Sequence, residues 1–89
     1  MTGDLSVVMP LHNGAPWVAE AIASVLEHAD GLLELIVVDD GSTDDGPDIA
    51  RSFGDPVRVV AQEQQGCSGA RNRGLLERKG SPVRLLLHR

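Results

Sequence analysis

The run Leu33-Glu34-Leu35-Ile36-Val37-Val38 is apolar at all but one position and ends abruptly in Asp39-Asp40-Gly41-Ser42-Thr43-Asp44. A strand with one wet face alternates apolar and polar residues, so a near-continuous aliphatic run of this length belongs to a strand covered on both faces. Helices on both sides of a parallel sheet give that cover. In such open α/β sheets the carboxyl ends of the strands form the binding crevice, so Asp39 and Asp40 are expected where a nucleotide or sugar would sit. A plainer reading has Asp40 or Ser42 shaping the turn and capping the next helix; it accounts for one acid better than for two.

The rest of the chain keeps the same alternation. Leu5 to Met9 reads as a first strand, ended by Pro10, which has no N–H for a ladder. Asn13-Gly14-Ala15-Pro16 then gives a turn and a helix start, and Val18, Ile22, Val25, Leu26 and Ala29 recur at helical spacing from Trp17 to about Ala29. After the second strand, a helix is expected to begin past Thr43 or Asp44 and to run through Ile49, Ala50 and Phe53 to Gly54. Val57 to Ala61 reads as a third strand and Glu63 to Gly69 as a polar loop. A helix near Ala70 to Lys79 and a last strand, Val83 to Leu87, complete a βαβαβαβ order. That order predicts a Rossmann-like parallel sheet with right-handed crossovers.

The 89 residues have room for one small domain, 1–89, and a net charge of −5 argues against general affinity for nucleic acid, which needs a basic face. All the acids except Glu63 and Glu77 lie at or before Asp55, whereas Arg71, Arg73, Arg78, Lys79, Arg84 and Arg89 crowd the last quarter. Such asymmetry suits a ligand that offers a sugar or base to one side and phosphates to the other. Cys67 is the single cysteine, which excludes an internal disulfide. No apolar stretch is long enough to span a membrane and the first residues do not read as a signal peptide, so a cytoplasmic location is expected.

The chemistry concentrates in three loops at the carboxyl ends of the strands. The first, Val8-Met9-Pro10-Leu11-His12-Asn13-Gly14, has no Gly-x-Gly-x-x-Gly, which sets aside the dinucleotide fingerprint. His12 there could meet a base or ribose. Asp39 and Asp40 in the second loop could accept hydrogen bonds from ribose hydroxyls or a base imide, or help hold a cation. In the third, Gly66-Cys67-Ser68-Gly69-Ala70-Arg71-Asn72-Arg73-Gly74, small residues permit close approach of the backbone, and Arg71 can pair with phosphate oxygens.

Taken in order, Ser6 to Asn13, Ile36 to Asp44 and Gly66 to Gly74 resemble the N-terminal half of family 2 glycosyltransferases, the inverting nucleotide-sugar enzymes of GT-A fold. The resemblance extends over residues 4–80. It implies a partial GT-A fold in which Pro10 and His12 line the base pocket and Asp39 contacts the nucleoside, often uracil. Asp40 would lie beside it, and Arg71 near the base or the diphosphate. The implied reaction moves a sugar from a nucleotide-diphosphate donor, UDP-sugar favoured, to an acceptor hydroxyl, with a divalent cation, Mg²⁺ or Mn²⁺, on the diphosphate.

The resemblance lapses at the strand beginning with Val83. Where the family carries a metal-binding Asp-x-Asp, this sequence reads Leu87-His88-Arg89, and an Arg repels a cation. The family's general base has no counterpart in these residues, so no catalytic residue is assigned and the chain is expected to be inactive alone. A shortened chain, a shifted reading frame or a degenerate gene would each give this pattern, and a non-catalytic nucleotide-binding module or a non-functional fragment is the alternative. Val83, Leu85 and Leu87 are expected on a poorly covered edge through which chains could associate.

Overall fold

The computed structural model describes residues 4–80 and 83–85. Seven elements alternate along the chain: β1 (Leu5–Leu11), α1 (Ala15–His28), β2 (Leu32–Asp40), α2 (Gly46–Arg51), β3 (Val57–Gln62), α3 (Gly66–Glu77) and β4 (Val83–Leu85). The strands form one sheet in the order β3-β2-β1-β4, and every neighbouring pair is parallel. This is the Rossmann-like α/β arrangement that the pattern of apolar runs predicts.

The two faces of β2 follow the two-residue period of a strand. Leu35 and Val37 join Val7, Met9 and Leu11 of β1 in a core with Val18 and Ile22 of α1 and Ala50 of α2. Ile36 and Val38 turn the other way and meet Val8, Val60 and Ala70 of α3. Both faces are therefore covered, which is why β2 can be aliphatic throughout. Burying one such side chain fully contributes about 1.5–3 kcal/mol relative to exposure. With α1 and α2 on one face and α3 on the other, the direction of winding reverses between β1 and β4, and the crevice of such a sheet opens beside that reversal at the carboxyl ends.

Several boundaries differ from the sequence expectation. Pro10 does not end β1; pairing continues through Pro10↔Val38 to Leu11↔Asp39. The part of β1 paired with β4 is Ser6 to Val8, so the proline lies past that contact and its missing N–H is compatible with the ladder to β2. β2 likewise runs through both acids, which sit in the strand rather than beyond it. Helix α1 starts earlier than expected, at Ala15, and Leu26 is 37% exposed because Val25 takes the inward position. Helix α2 is a short segment that closes at Arg51, and Phe53 packs against the core from the turn that follows.

The largest difference is at α3. The residues expected as a glycine loop form its first turn, so the helix begins at Gly66. Glycine in a helix costs about 1 kcal/mol relative to alanine, and what offsets that cost here is a carboxylate from β2. At Gly74 the missing side chain has a further use. A Cβ there would collide with both methyl groups of Val8, so glycine lets α3 lie close on the sheet. The fourth strand is described only from Val83 to Leu85; the rest of the expected edge, and the His88-Arg89 position, lie outside the described residues.

Candidate functional site

Asp39 and Asp40 are consecutive strand residues and so point to opposite faces of the sheet. Asp40 turns toward α3. Its Oδ1 accepts from the backbone N–H of Gln65 at 2.8 Å and from Gln62 Nε2 at 2.9 Å, and its Oδ2 accepts from the N–H of Gly66 at 2.9 Å. Burial alone would raise the pKa of this carboxyl. The donors of Gln62, Gln65 and Gly66, with a smaller effect from the nearby His12, hold it below its ordinary value. Helix α3, whose own N-cap residue supplies no side-chain bond, is thus capped by an acid 26 residues upstream. The plainer reading of Asp40 as a cap was right about the type of bond, but the helix is α3, not the next one.

Asp39 faces the α1 and α2 side and is 8% exposed. Its Oδ1 accepts from the N–H of Ser42 at 3.0 Å, closing the turn at Gly41, where a φ of 77° suits glycine. Its Oδ2 has no hydrogen-bond partner among the described residues. Because no buried side-chain oxygen or nitrogen of those residues lacks a partner, this oxygen still reaches solvent.

The loop after β1 is tied to the loop after β2. His12 Nδ1 donates to the carbonyl oxygen of Asp40 at 2.9 Å, which fixes the ring at the edge of the sheet. Asn13, at a positive φ of 51°, uses its backbone N–H to donate to Ser42 Oγ at 3.0 Å, and its Oδ1 accepts from the N–H of Thr43 at 2.7 Å. Asp44 joins two helix starts: Oδ2 accepts from the N–H of Ala15 at 3.0 Å and Oδ1 from that of Gly46 at 2.9 Å. The residues that read most like ligand contacts therefore also assemble the crevice, by accepting N–H groups that helix and turn starts leave unpaired. Asn13, Asp44 and Gln62 were not singled out in the sequence. For Asn13 a signal existed in the residue type, since asparagine tolerates the left-handed conformation better than most.

Arg71 lies on the second turn of α3, one position past the buried Ala70 and so on the flank of the helix that packs on the sheet. It is half-buried and makes no hydrogen bond or ion pair with the described residues. Pro10 and His12 stand on β1 and just beyond it, opposite Val38 and Asp40. Four of the five residues chosen from the sequence, Pro10, His12, Asp39 and Asp40, thus gather on two adjacent strands. Arg71 stands five residues along α3 from Gly66, the residue that Asp40 caps.

No group of three or more His, Cys, Asp or Glu among the described residues is arranged to hold a metal ion. The two adjacent acids diverge, and Asp40 already accepts three donors. The described residues therefore assemble no cation site by themselves, and the two carboxylates do not face one ion together. No helix among them is long and apolar enough to cross a membrane.

The sheet, its acids and its switch point define a Rossmann-like fold, and comparison with known proteins defines the family. Residues 6–85 match the family model described as Glycosyl transferase family 2. The chain belongs to that family. It is 41% identical over 86 residues to an uncharacterized glycosyltransferase of Rickettsia bellii, covering 94% of this chain and 12% of the relative. Against the glycosyltransferase GlyG of Streptococcus pneumoniae it is 34% identical over 86 residues, covering 92% of this chain and 29% of the relative.

Among solved structures it is similar to glucosyl-3-phosphoglycerate synthase from Mycobacterium tuberculosis, determined with Mn²⁺, UDP and glucosyl-3-phosphoglycerate. The TM-score is 0.82 at 34% identity, over 96% of this chain and 33% of that one. It is also similar to the mannosyltransferase PcManGT of Pyrobaculum calidifontis, in complex with GDP-Man and Mn²⁺. There the TM-score is 0.79 at 29% identity, over 93% of this chain and 26% of that one. The chain spans a third or less of the length of each of these proteins.

Proposed function

We propose that this chain binds the nucleotide part of a nucleotide-diphosphate sugar, a UDP-sugar by preference, as the donor side of an inverting transfer to an acceptor hydroxyl. Asp39 accepts from the nucleoside, with Asp40 beside it. Pro10 and His12 line the base pocket, and Arg71 reaches toward the diphosphate. The observation that carries this reading is the pair of uncommitted polar groups at an otherwise tied crevice. Asp39 Oδ2 opens to solvent and Arg71 has no partner among the described residues, while Asp40, Asp44 and Asn13 are all engaged. A carboxylate oxygen suits imide and hydroxyl donors, and a guanidinium suits phosphate oxygens.

Transfer itself needs a base for the acceptor hydroxyl and stabilisation of the charge that develops on the leaving diphosphate. Neither is assembled by the described residues. We therefore read the 89-residue chain as a donor-binding unit that does not turn its donor over by itself. Metal-dependent release of sugar by the purified chain at an ordinary enzymatic rate would overturn that.

Titration calorimetry with UDP tests the site. Asp39→Asn keeps the shape and the bond from Ser42 but places an amide where the carboxylate accepts, and is expected to weaken UDP at least tenfold, on the order of one charged hydrogen bond. Equal affinity in the two proteins would remove Asp39 from the site.

A further inference from the structure

At the amino ends of the strands, on the face that α3 covers, lies a second polar cluster. Glu34 breaks the apolar run of β2 there. Its Oε1 accepts from Arg58 Nη2 of β3 at 3.0 Å, and its Oε2 accepts from Ser6 Oγ of β1 at 2.8 Å and from the backbone N–H of Lys79. Ser6 Oγ in turn accepts from the N–H of Gly80 at 2.8 Å. Arg58 spans to α3, donating through Nη1 to Glu77 Oε1 at 3.0 Å and through Nη2 to the carbonyl oxygen of Glu77 at 2.6 Å. The end of α3, and Lys79 and Gly80 in the segment that follows it, are therefore bound to β1, β2 and β3 by side chains.

Among the described residues, Ala70 is the one residue of α3 in the buried cluster on that face, and Gly74 contributes proximity but no side chain. Leu76 is 84% exposed. An alanine gains little from burial, and polar bonds hold the helix at both ends: Asp40 at its first residue, Arg58 at its last, and Glu34 on Lys79 just beyond it.

We infer that Glu34 and Arg58 are positioning residues for the crevice at the opposite end of the sheet, acting through α3. The Glu34–Arg58 pair and Asp40 grip the helix at its two ends, and Val8 against Gly74 sets its height. Releasing the amino-end grip frees the helix to slide, which moves Arg71 and loosens the Asp40 cap. The consequence for nucleotide binding rests on the donor-site reading above; the mechanical coupling does not.

Amide hydrogen exchange on the full chain, followed at single residues, tests the coupling without any ligand. In Glu34→Gln, exchange at Lys79 and Gly80 is expected to rise, and exchange at Gln65 and Gly66, at the far end of α3, to rise with it by about tenfold, with α1 changed less than twofold. Arg58→Met, which keeps the apolar stem, is expected to give the same pattern, so that one poorly folding variant does not decide the matter. A rise confined to Lys79 and Gly80, or an equal rise through the whole chain, would overturn the inference.

UDP and uridine titrations then test the link to the site. A greater loss for UDP than for uridine in Glu34→Gln is expected, because Arg71 faces the diphosphate; equal losses would sever Glu34 from Arg71. If the wild-type chain binds neither compound, the donor-site reading fails while the exchange result still stands or falls alone.

Discussion

The two ends of the sheet use charge in opposite ways. At the amino ends, acids meet a guanidinium: Glu34 and Glu77 share Arg58, and Arg73 donates to Glu77 as well. At the carboxyl ends, acids meet backbone N–H groups: Asp39 holds the Gly41 turn, Asp40 the start of α3, and Asp44 the starts of α1 and α2. The first arrangement consumes its cations. The second leaves a cation, Arg71, and a carboxylate oxygen, on Asp39, without partners among the described residues. A closed cluster serves to hold elements together, whereas an open group can exchange solvent for a ligand; Arg58 with Glu34 and Glu77 is of the first kind, and Asp39 Oδ2 and Arg71 are of the second.

The contrast can be broken most forcefully at Glu34. Glu34→Ala leaves Arg58, Ser6 and the N–H of Lys79 short of an acceptor at a side chain that is only 9% exposed, and is expected to cost about 3 kcal/mol, read from urea unfolding. The same cluster has an acid signature. Burial would raise the Glu34 pKa, but the N–H of Lys79, Ser6 and Arg58 hold it below its ordinary 4.5. A carboxyl whose folded pKa is depressed stabilises the fold above its unfolded value, and that contribution fades as pH falls through the folded one. The wild-type thermal midpoint should therefore drop between about pH 5 and pH 3, and Glu34→Gln should flatten part of that slope.

Asp40→Ala is expected to cost about 2 kcal/mol, because the cap of α3 and the bond from Gln62 are lost together. Thermal unfolding reads the cost, and hydrogen exchange should locate it in α3. Asp44→Ala removes the bonds to Ala15 and Gly46 and is expected to cost about 1 kcal/mol, with the loss of protection in α1 and α2 instead. Arg71→Ala should change stability least, by less than about 0.5 kcal/mol, since its side chain makes no hydrogen bond or ion pair with the described residues. Its effect should appear in UDP affinity. A large destabilisation by Arg71→Ala would mean that the carboxyl end is as closed as the amino end, and the contrast would fail.

Much of this was legible in the sequence, for identifiable reasons. The aliphatic run before Asp39 reports a strand covered on both faces because burial on both faces is what permits it, and the order of elements follows from the same periodicity. What the sequence concealed were bonds between distant positions. Asp40 caps a helix 26 residues away, so nothing near it in the chain announces the partner. Without that cap in view, Gly66 and Gly69 read as a loop. Glu34 read as the one polar position in an apolar run, and Arg58 went unremarked inside its strand, because their pairing exists only once β2 and β3 lie side by side. The resemblance to family 2 glycosyltransferases was carried by short motifs at the carboxyl ends, where local sequence and site coincide.

On the proposed reading, the carboxyl end of this sheet takes up a nucleotide. Thermal unfolding of the 89-residue chain with and without UDP, beside Asp39→Asn, tests it most directly. Ligand that binds only the folded chain at about a hundred times its dissociation constant should raise the wild-type midpoint by about 10 °C or more, and the variant's by clearly less. A cooperative transition that UDP leaves unmoved in the wild-type chain would contradict the account.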